Sequence, residues 1–155
     1  ANGKDIAIVS EAGYPCVADP GAQLVLLAQQ AGYEIVPLLG ASSIILALAA
    51  SGLNGQNFAF NGYLPKDKGE RLTKIRNLEQ RSKKEGQTQI FMEAPYRNGN
   101  LMEDLLAACQ PQTLLCIACD ITGLDQKIQT LPVGQWKQRE FKFPKKPCLF
   151  LLLYN

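Results

Sequence analysis

Histidine is missing from all 155 residues of the chain. Its absence removes Ser-His-Asp triads, Cys-His nucleophile pairs and most catalytic zinc sites in one step. Two phosphate-binding signatures are missing as well. Neither G-x-x-x-x-G-K-[ST] nor G-x-G-x-x-G occurs, so the chain carries no P-loop and no dinucleotide fingerprint. Charge is sparse at 19%, and a net of +2 says nothing by itself about partners. No apolar run reaches the roughly 18–20 residues that span a bilayer. The first residues also lack the charged-then-apolar build of a signal peptide. The expectation is a soluble, cytoplasmic protein.

What is present is enough apolar material for a core. Hydrophobic residues make up 46% of the chain, which fits one ordinary domain or two small ones. The five cysteines, Cys16, Cys109, Cys116, Cys119 and Cys148, fall mostly within apolar stretches. They read as free buried thiols, since buried Cys behaves as a small hydrophobe. Cys116 and Cys119 form a C-x-x-C inside LLCIACDI. Residues three apart on a strand point to opposite faces, so neither a zinc knuckle nor a redox motif is expected, and no metal site.

Strand-like and helix-like runs alternate along the chain. Strands are expected at 5–10, 34–39, 57–64, 88–93, 114–121, 127–133 and 148–155. Helices are expected at 21–32, 41–52, 70–86 and 100–109, from apolar residues at helical spacing. Asp19-Pro20 supplies a cap and first-turn proline for the first helix, and Gly32 its stop. Helix 41–52 is apolar on nearly every side, so it is expected to be buried. The pattern predicts an α/β fold. Connections near the C-terminus are too short for parallel crossovers, so the sheet should be mixed, with antiparallel hairpins at its end. The most plausible boundary divides 1–40 from 41–155.

The loop that follows the first apolar run, SEAGYPCVADPG (10–21), holds Gly13, Pro15, Pro20 and Gly21. A glycine-rich turn at a strand end exposes backbone N–H groups to a ligand. A rigid connector would look the same. The chain is also poor in general acids and bases, which favours chemistry with little proton transfer. Methyl transfer from a sulfonium is one such reaction, an in-line displacement governed by positioning.

Four blocks in order, SEAGYPCVADPG, VPLLGASSIILALAASGL, FAFNGYLPKDKGER and TQIFMEAPYR, resemble the tetrapyrrole methylase superfamily of S-adenosylmethionine-dependent methyltransferases. Within it they are most similar to the branch that methylates a ribose 2′-hydroxyl of small-subunit ribosomal RNA. The resemblance implies two α/β domains around a cofactor cleft. It implies that this chain is a C-terminal fragment, with residues 1–40 ending the first domain and 41–155 forming the second. It implies S-adenosylmethionine as cofactor and a homodimer. By position it assigns Gly13, Tyr14 and Pro15 to the cofactor loop and Ser42 and Ser43 to the start of the helix lining that pocket. Met92, Glu93 and Ala94 fall to the second-domain wall, and Asp120, Ile121 and Thr122 to a loop flanking the adenine. Ser42 also reads as a helix cap and Met92 as core. No catalytic residue is assigned.

Several positions depart from the branch. Glu11 stands for Asp, Tyr14 for Thr, Leu39 for Pro and Tyr96 for His, and Cys119-Asp120-Ile121-Thr122-Gly123 replaces R-E-L-T-K. These departures keep open a porphyrinoid methylase and a non-catalytic binding domain of the same fold. One feature independent of the resemblance favours an anionic partner. Lys66, Lys68, Arg71, Lys74, Arg76, Arg81, Lys83 and Lys84 are half of the chain's 16 basic residues. Such density suits RNA phosphates or tetrapyrrole carboxylates, and equally an ordinary solvated helix face. If the substrate is RNA, Lys66, Lys68 and Arg71 should contact phosphates and Arg97 should lie near the cleft.

Overall fold

A computed structural model describes residues 3–143 and 145–155. The chain separates into two compact units, Ala1–Ser43 and Ile44–Asn155.

In the first unit the described residues form one helix, α1 (Ala22–Gln30). The strands expected at 5–10 and 34–39 are not formed. A strand is stable only when a neighbour takes up its N–H and C=O groups, and neither segment finds one among the described residues. Val9, Val36, Leu38 and Leu39 are consequently exposed. Asp19 does not cap α1: the N-cap is Gly21, without a side-chain bond. Gly32 does stop the helix. It takes φ 78°, and Tyr33 N–H reaches back to Ala28 C=O at 3.0 Å, the closing bond of a Schellman turn.

The second unit contains α2 (Ser43–Ser51, its first residue at the boundary), β1 (Phe58–Tyr63), α3 (Lys68–Glu85), β2 (Thr88–Glu93) and a 3₁₀ turn at Pro95–Arg97. There follow α4 (Asn98–Ala108), β3 (Leu114–Cys119), β4 (Lys127–Pro132), α5 (Val133–Trp136) and β5 (Cys148–Leu153). The sheet order is β1-β2-β5-β3-β4. Only β1 and β2 are parallel, with α3 as their crossover; every other pair is antiparallel. The mixed α/β sheet expected from the sequence is therefore present, with one difference. β3 and β4 make the one hairpin among the described residues, while β5 returns to the middle of the sheet.

Local signals explain the boundaries. Asp67 accepts from Glu70 N–H at 2.9 Å and starts α3 two residues earlier than periodicity alone suggests. Gly86, at φ 61°, ends it. β3 stops at Cys119 because Asp120 turns left-handed, at φ 49°.

Alternation along the strands gives two cores. Phe91, Leu115, Ile117, Phe150 and Leu152 face α3 and α4, which contribute Ile75, Leu78, Leu101 and Leu105. Ile90, Cys116, Ala118, Leu149 and Leu151 face α2, which contributes Ile44, Ala47 and Leu48. α2 is buried on that side only, and Ile45 and Leu46 remain exposed, contrary to the all-round burial its composition predicts.

The cysteines also differ from expectation. Cys119 and Cys148 face each other across the β3–β5 ladder and form a disulfide. Cys119 ends β3 and Cys148 begins β5 at the same register, which a reading of each strand alone does not show. Cys16, Cys109 and Cys116 are free. No helix among the described residues is long and apolar enough to cross a membrane.

Candidate functional site

Within the first unit, the loop that opens at Ser10 is as constrained as its sequence suggests. Gly13, Cys16, Ala18 and Gly21 all have positive φ. At Gly21 a Cβ would come within 2.9 Å of Cys16 Sγ, so glycine is required there by space as well as by backbone. Gly13 is exposed, and a side chain on it would meet nothing within 4 Å, so its main chain is open to approach. Pro15 and Tyr14 are half-buried. The Tyr14 hydroxyl accepts Gly40 N–H at 3.0 Å. That bond brings the Gly13–Pro15 turn toward the segment leading to Ser42 and Ser43, so five of the predicted residues are gathered inside this unit. The bulk of Tyr14 is used as a brace.

Within the second unit, topology gathers residues that are far apart in sequence. β1, β2 and β3 run in the same direction, because β2 and β3 are both antiparallel to β5. Their carboxyl ends therefore share one edge of the sheet, where ligands of open α/β sheets bind. Glu93 and Cys119 are both opposite Cys148, about 10 Å apart by two strand spacings. The Met92–Ala94 segment and the Asp120–Thr122 loop are thus neighbours. Tyr63 pairs with Met92, so Lys66, three residues on, leaves from this edge too.

Side-chain detail sharpens several of the assignments. Met92 and Ile121 are half-buried and pack on the same apolar cluster, on the α2 side of the sheet. Together they offer an apolar, partly open surface suited to a flat ring. Glu93 is buried, and its carboxylate accepts from Ala94 N–H at 2.7 Å and from the Arg97 guanidinium. Its side chain is occupied in bracing the turn. The amide of Thr122 is also taken, donating to Gln126 Oε1 at 2.7 Å. Thr122 has φ 67°, rare for a β-branched residue and a form of backbone strain that clusters at functional sites. Asp120 holds the loop closed. It accepts Asp125 N–H at 3.1 Å, and its carboxylate is 3.5 Å from Lys146 Nζ. A Cβ on Gly123 would run into that carboxyl group.

The basic residues divide by role. Lys66 and Lys68 are exposed as predicted. Arg71 is not available to a phosphate. It is buried, with Nε and Nη2 on Asp104 and Nη1 donating to the carbonyls of Pro65 and Lys66. Arg97 is committed to Glu93 and lies over the Tyr96 ring, and its Nε is buried without a partner among the described residues. Asp104 carried a usable signal: it sits three residues after Leu101 on the buried stripe of α4, and a carboxylate there needs a cation. The basic segment after α5 has no counterpart among the residues that the sequence singles out.

A family model described as Tetrapyrrole (Corrin/Porphyrin) Methylases matches residues 1–136. The chain is 36% identical over 134 residues to Ribosomal RNA small subunit methyltransferase I of Vibrio cholerae, covering 86% of this chain and 45% of that protein. It is 30% identical over 153 residues to the protein of the same name from Pseudomonas aeruginosa, covering 97% and 53%. The chain thus spans about half the length of the curated relatives it matches. Among solved structures, the methyltransferase CobJ aligns over 92% of this chain and 67% of its own, at TM-score 0.57 and 18% identity. Uroporphyrin-III-C-methyltransferase from Thermus thermophilus aligns over 91% and 60%, at TM-score 0.54 and 20% identity. At these identities the structural likeness speaks to the fold alone.

Proposed function

The chain belongs to the tetrapyrrole (corrin/porphyrin) methylase family, and from that premise we propose that this protein is an S-adenosylmethionine-dependent methyltransferase acting on a ribose hydroxyl of small-subunit ribosomal RNA. The observation that carries the choice of substrate is the name shared by its relatives, which match 86% and 97% of the chain at 36% and 30% identity. Structural likeness to a uroporphyrin-III-C-methyltransferase is weaker in sequence, at 20%, so a porphyrinoid substrate is the second reading.

What supports this cofactor is the chemistry that each unit offers by itself. Met92 and Ile121 supply an apolar surface for an adenine ring, and the Asp120–Thr122 backbone borders it. Gly13 presents open main chain, braced by Tyr14. S-adenosylmethionine, when bound, supplies the activated methyl group. The chain's own work is to hold the two partners in line, which needs no histidine. Lys66 is exposed at the strand-end edge to meet a phosphate, and Lys68, though exposed, shares Asp104 with Arg71 at 3.9 Å. Ile45 and Phe58 help to line an uncharged groove of about 310 Å³ beside α2, which supports self-association as a homodimer. The site of action is the cytoplasm, with the ribosomal substrate.

The deciding experiment is transfer of labelled methyl from S-adenosylmethionine to small-subunit RNA and, in parallel, to a porphyrinoid. The expected result is label in RNA ribose only. Label in the porphyrinoid alone would establish the second reading. Failure of a chain extended to the relatives' full length to bind S-adenosylmethionine in a calorimeter would leave a non-catalytic domain. Sedimentation at micromolar concentration tests the dimer.

A further inference from the structure

Between α5 and β5 the chain reads KQREFKFPKKP, residues 137–147. Lys137, Arg139, Lys142, Lys145 and Lys146 face a single acid, Glu140. The segment is fastened at both ends. Before it, the buried Trp136 donates from Nε1 to Leu115 C=O at 2.8 Å. At its far end, Lys146 C=O accepts from Asn98 Nδ2 at 3.2 Å. Between these anchors runs an aromatic ladder. Phe141 meets Trp136 edge-on at 5.5 Å and Phe143 at 4.6 Å, and Phe143 meets Phe150 at 5.9 Å. Phe141 and Phe143 thus turn toward the sheet, and Lys142 between them is exposed. Arg139 and Lys145 are exposed as well. None of these three cations has a carboxylate within ion-pair distance among the described residues.

Beside this strap lies a groove of about 370 Å³ lined by Ile117, Gln126, Lys127, Ile128, Gln129 and Phe141. Lys127 and Gln129 of the edge strand β4 give it a polar rim. Lys127 and Gln129 share the face of β4 that looks toward Phe141, since Gln129 pairs with Ile117 and Lys127 with Cys119. The fixed strap contrasts with α3. There Arg71 is buried against Asp104, Arg81 pairs with Glu85, and Lys83 sits over Tyr154.

We propose that the exposed cations beside the groove, Arg139, Lys142 and Lys145, together with Lys127 on the groove's rim, bind the phosphate backbone of a single-stranded RNA segment. The choice of RNA rests on the methyltransferase reading above. The aromatic side chains point inward and are used in packing, so base stacking is not offered. Recognition is of charge and spacing, tolerant of sequence.

The test is titration of the chain with a labelled single-stranded RNA of mixed sequence at several salt concentrations, without cofactor. Changing Lys127, Arg139, Lys142 and Lys145 together to Gln should weaken binding more than tenfold at low salt. It should also flatten the log–log salt slope by about 3, from roughly 0.7 for each phosphate that is no longer neutralised. A charge-matched change of Lys74, Arg76, Arg81 and Lys84 to Gln on α3 should cost much less. Equal losses from the two sets, or no RNA binding by the unaltered chain at low salt, overturn the proposal. If the fourfold variant melts early, Lys142→Gln and Lys145→Gln singly should each lower the slope by about 0.7; unchanged slopes overturn it. Methyl transfer to RNA with unchanged slopes would sink the groove alone, and RNA held by the strap without methyl transfer would sink the enzyme alone.

Discussion

The guanidinium of Arg71 meets the carboxylate of Asp104 through both Nε and Nη2, each 2.7 Å from Oδ2, with both side chains less than a tenth exposed. The pair ties α3 to α4 over the core. Removing one partner from a buried pair leaves the other charge stranded, at a cost of about 3–5 kcal/mol. Asp104→Ala is expected to lower stability by that amount in urea denaturation. Replacing the exposed Lys74 by Ala should change it by less than about 0.5 kcal/mol. A stable Asp104→Ala protein would return Arg71 to the list of candidate phosphate contacts.

A second buried pair bears on the site directly. Glu93, with 1% of its side chain exposed, is held by Arg97. Arg97→Ala should destabilise the second unit by about 3–5 kcal/mol, seen as an earlier melting transition. If Arg97 served RNA alone, its removal would weaken RNA binding with no change in melting.

The Cys109 thiol is pushed up from 9.0 to about 12, first by burial and then by the nearby Glu79 carboxylate. Burial raises Cys116 as well. Below pH 9 both thiols are protonated folded or unfolded, and their contribution is present in full. Between pH 9 and about 12 only the unfolded chain releases the Cys109 proton, so stability declines as pH rises. Denaturation midpoints at about pH 8, 9.5 and 10.5 should fall in that order, and less so in Cys109→Ala.

Denatured without reductant, the protein should titrate three thiols, those of Cys16, Cys109 and Cys116. After reduction it should titrate five. The Cys119–Cys148 link spans 29 residues, and such a loop is worth about 3–4 kcal/mol through the unfolded chain. Changing both to Ser should lower the denaturation midpoint accordingly. Five thiols before reduction would refute the bond.

Much of the second unit was legible because its signals are local. Thr88–Glu93 forms the strand expected of TQIFME, and Gly32 and Gly86 end helices as glycine does. The motifs that name the candidate residues, the Gly13–Pro15 turn in one unit and the EAPYR strand end in the other, were legible because each is local. The failures have physical causes. DIAIVS and EIVPLL have strand composition but no ladder partner among the described residues. Arg71 has the look of a surface cation, yet it lies on the same buried stripe as Ile75 and Leu78. The α2 helix is apolar all round, but it has only one side of the sheet to cover.

Local pattern was enough for the α/β alternation of the second unit, the turns that demand left-handed backbone, and the family. These depend on neighbours a few residues away, or on motifs kept in order. That β5 enters the centre of the sheet comes from folding alone. That insertion aligns β2 and β3 in one direction and puts Glu93 and Asp120 on one edge. It also sets Cys148 opposite Cys119. Each of these is a long-range pairing. Its free energy comes from burying surfaces that are dozens of residues apart, and no local pattern carries that information.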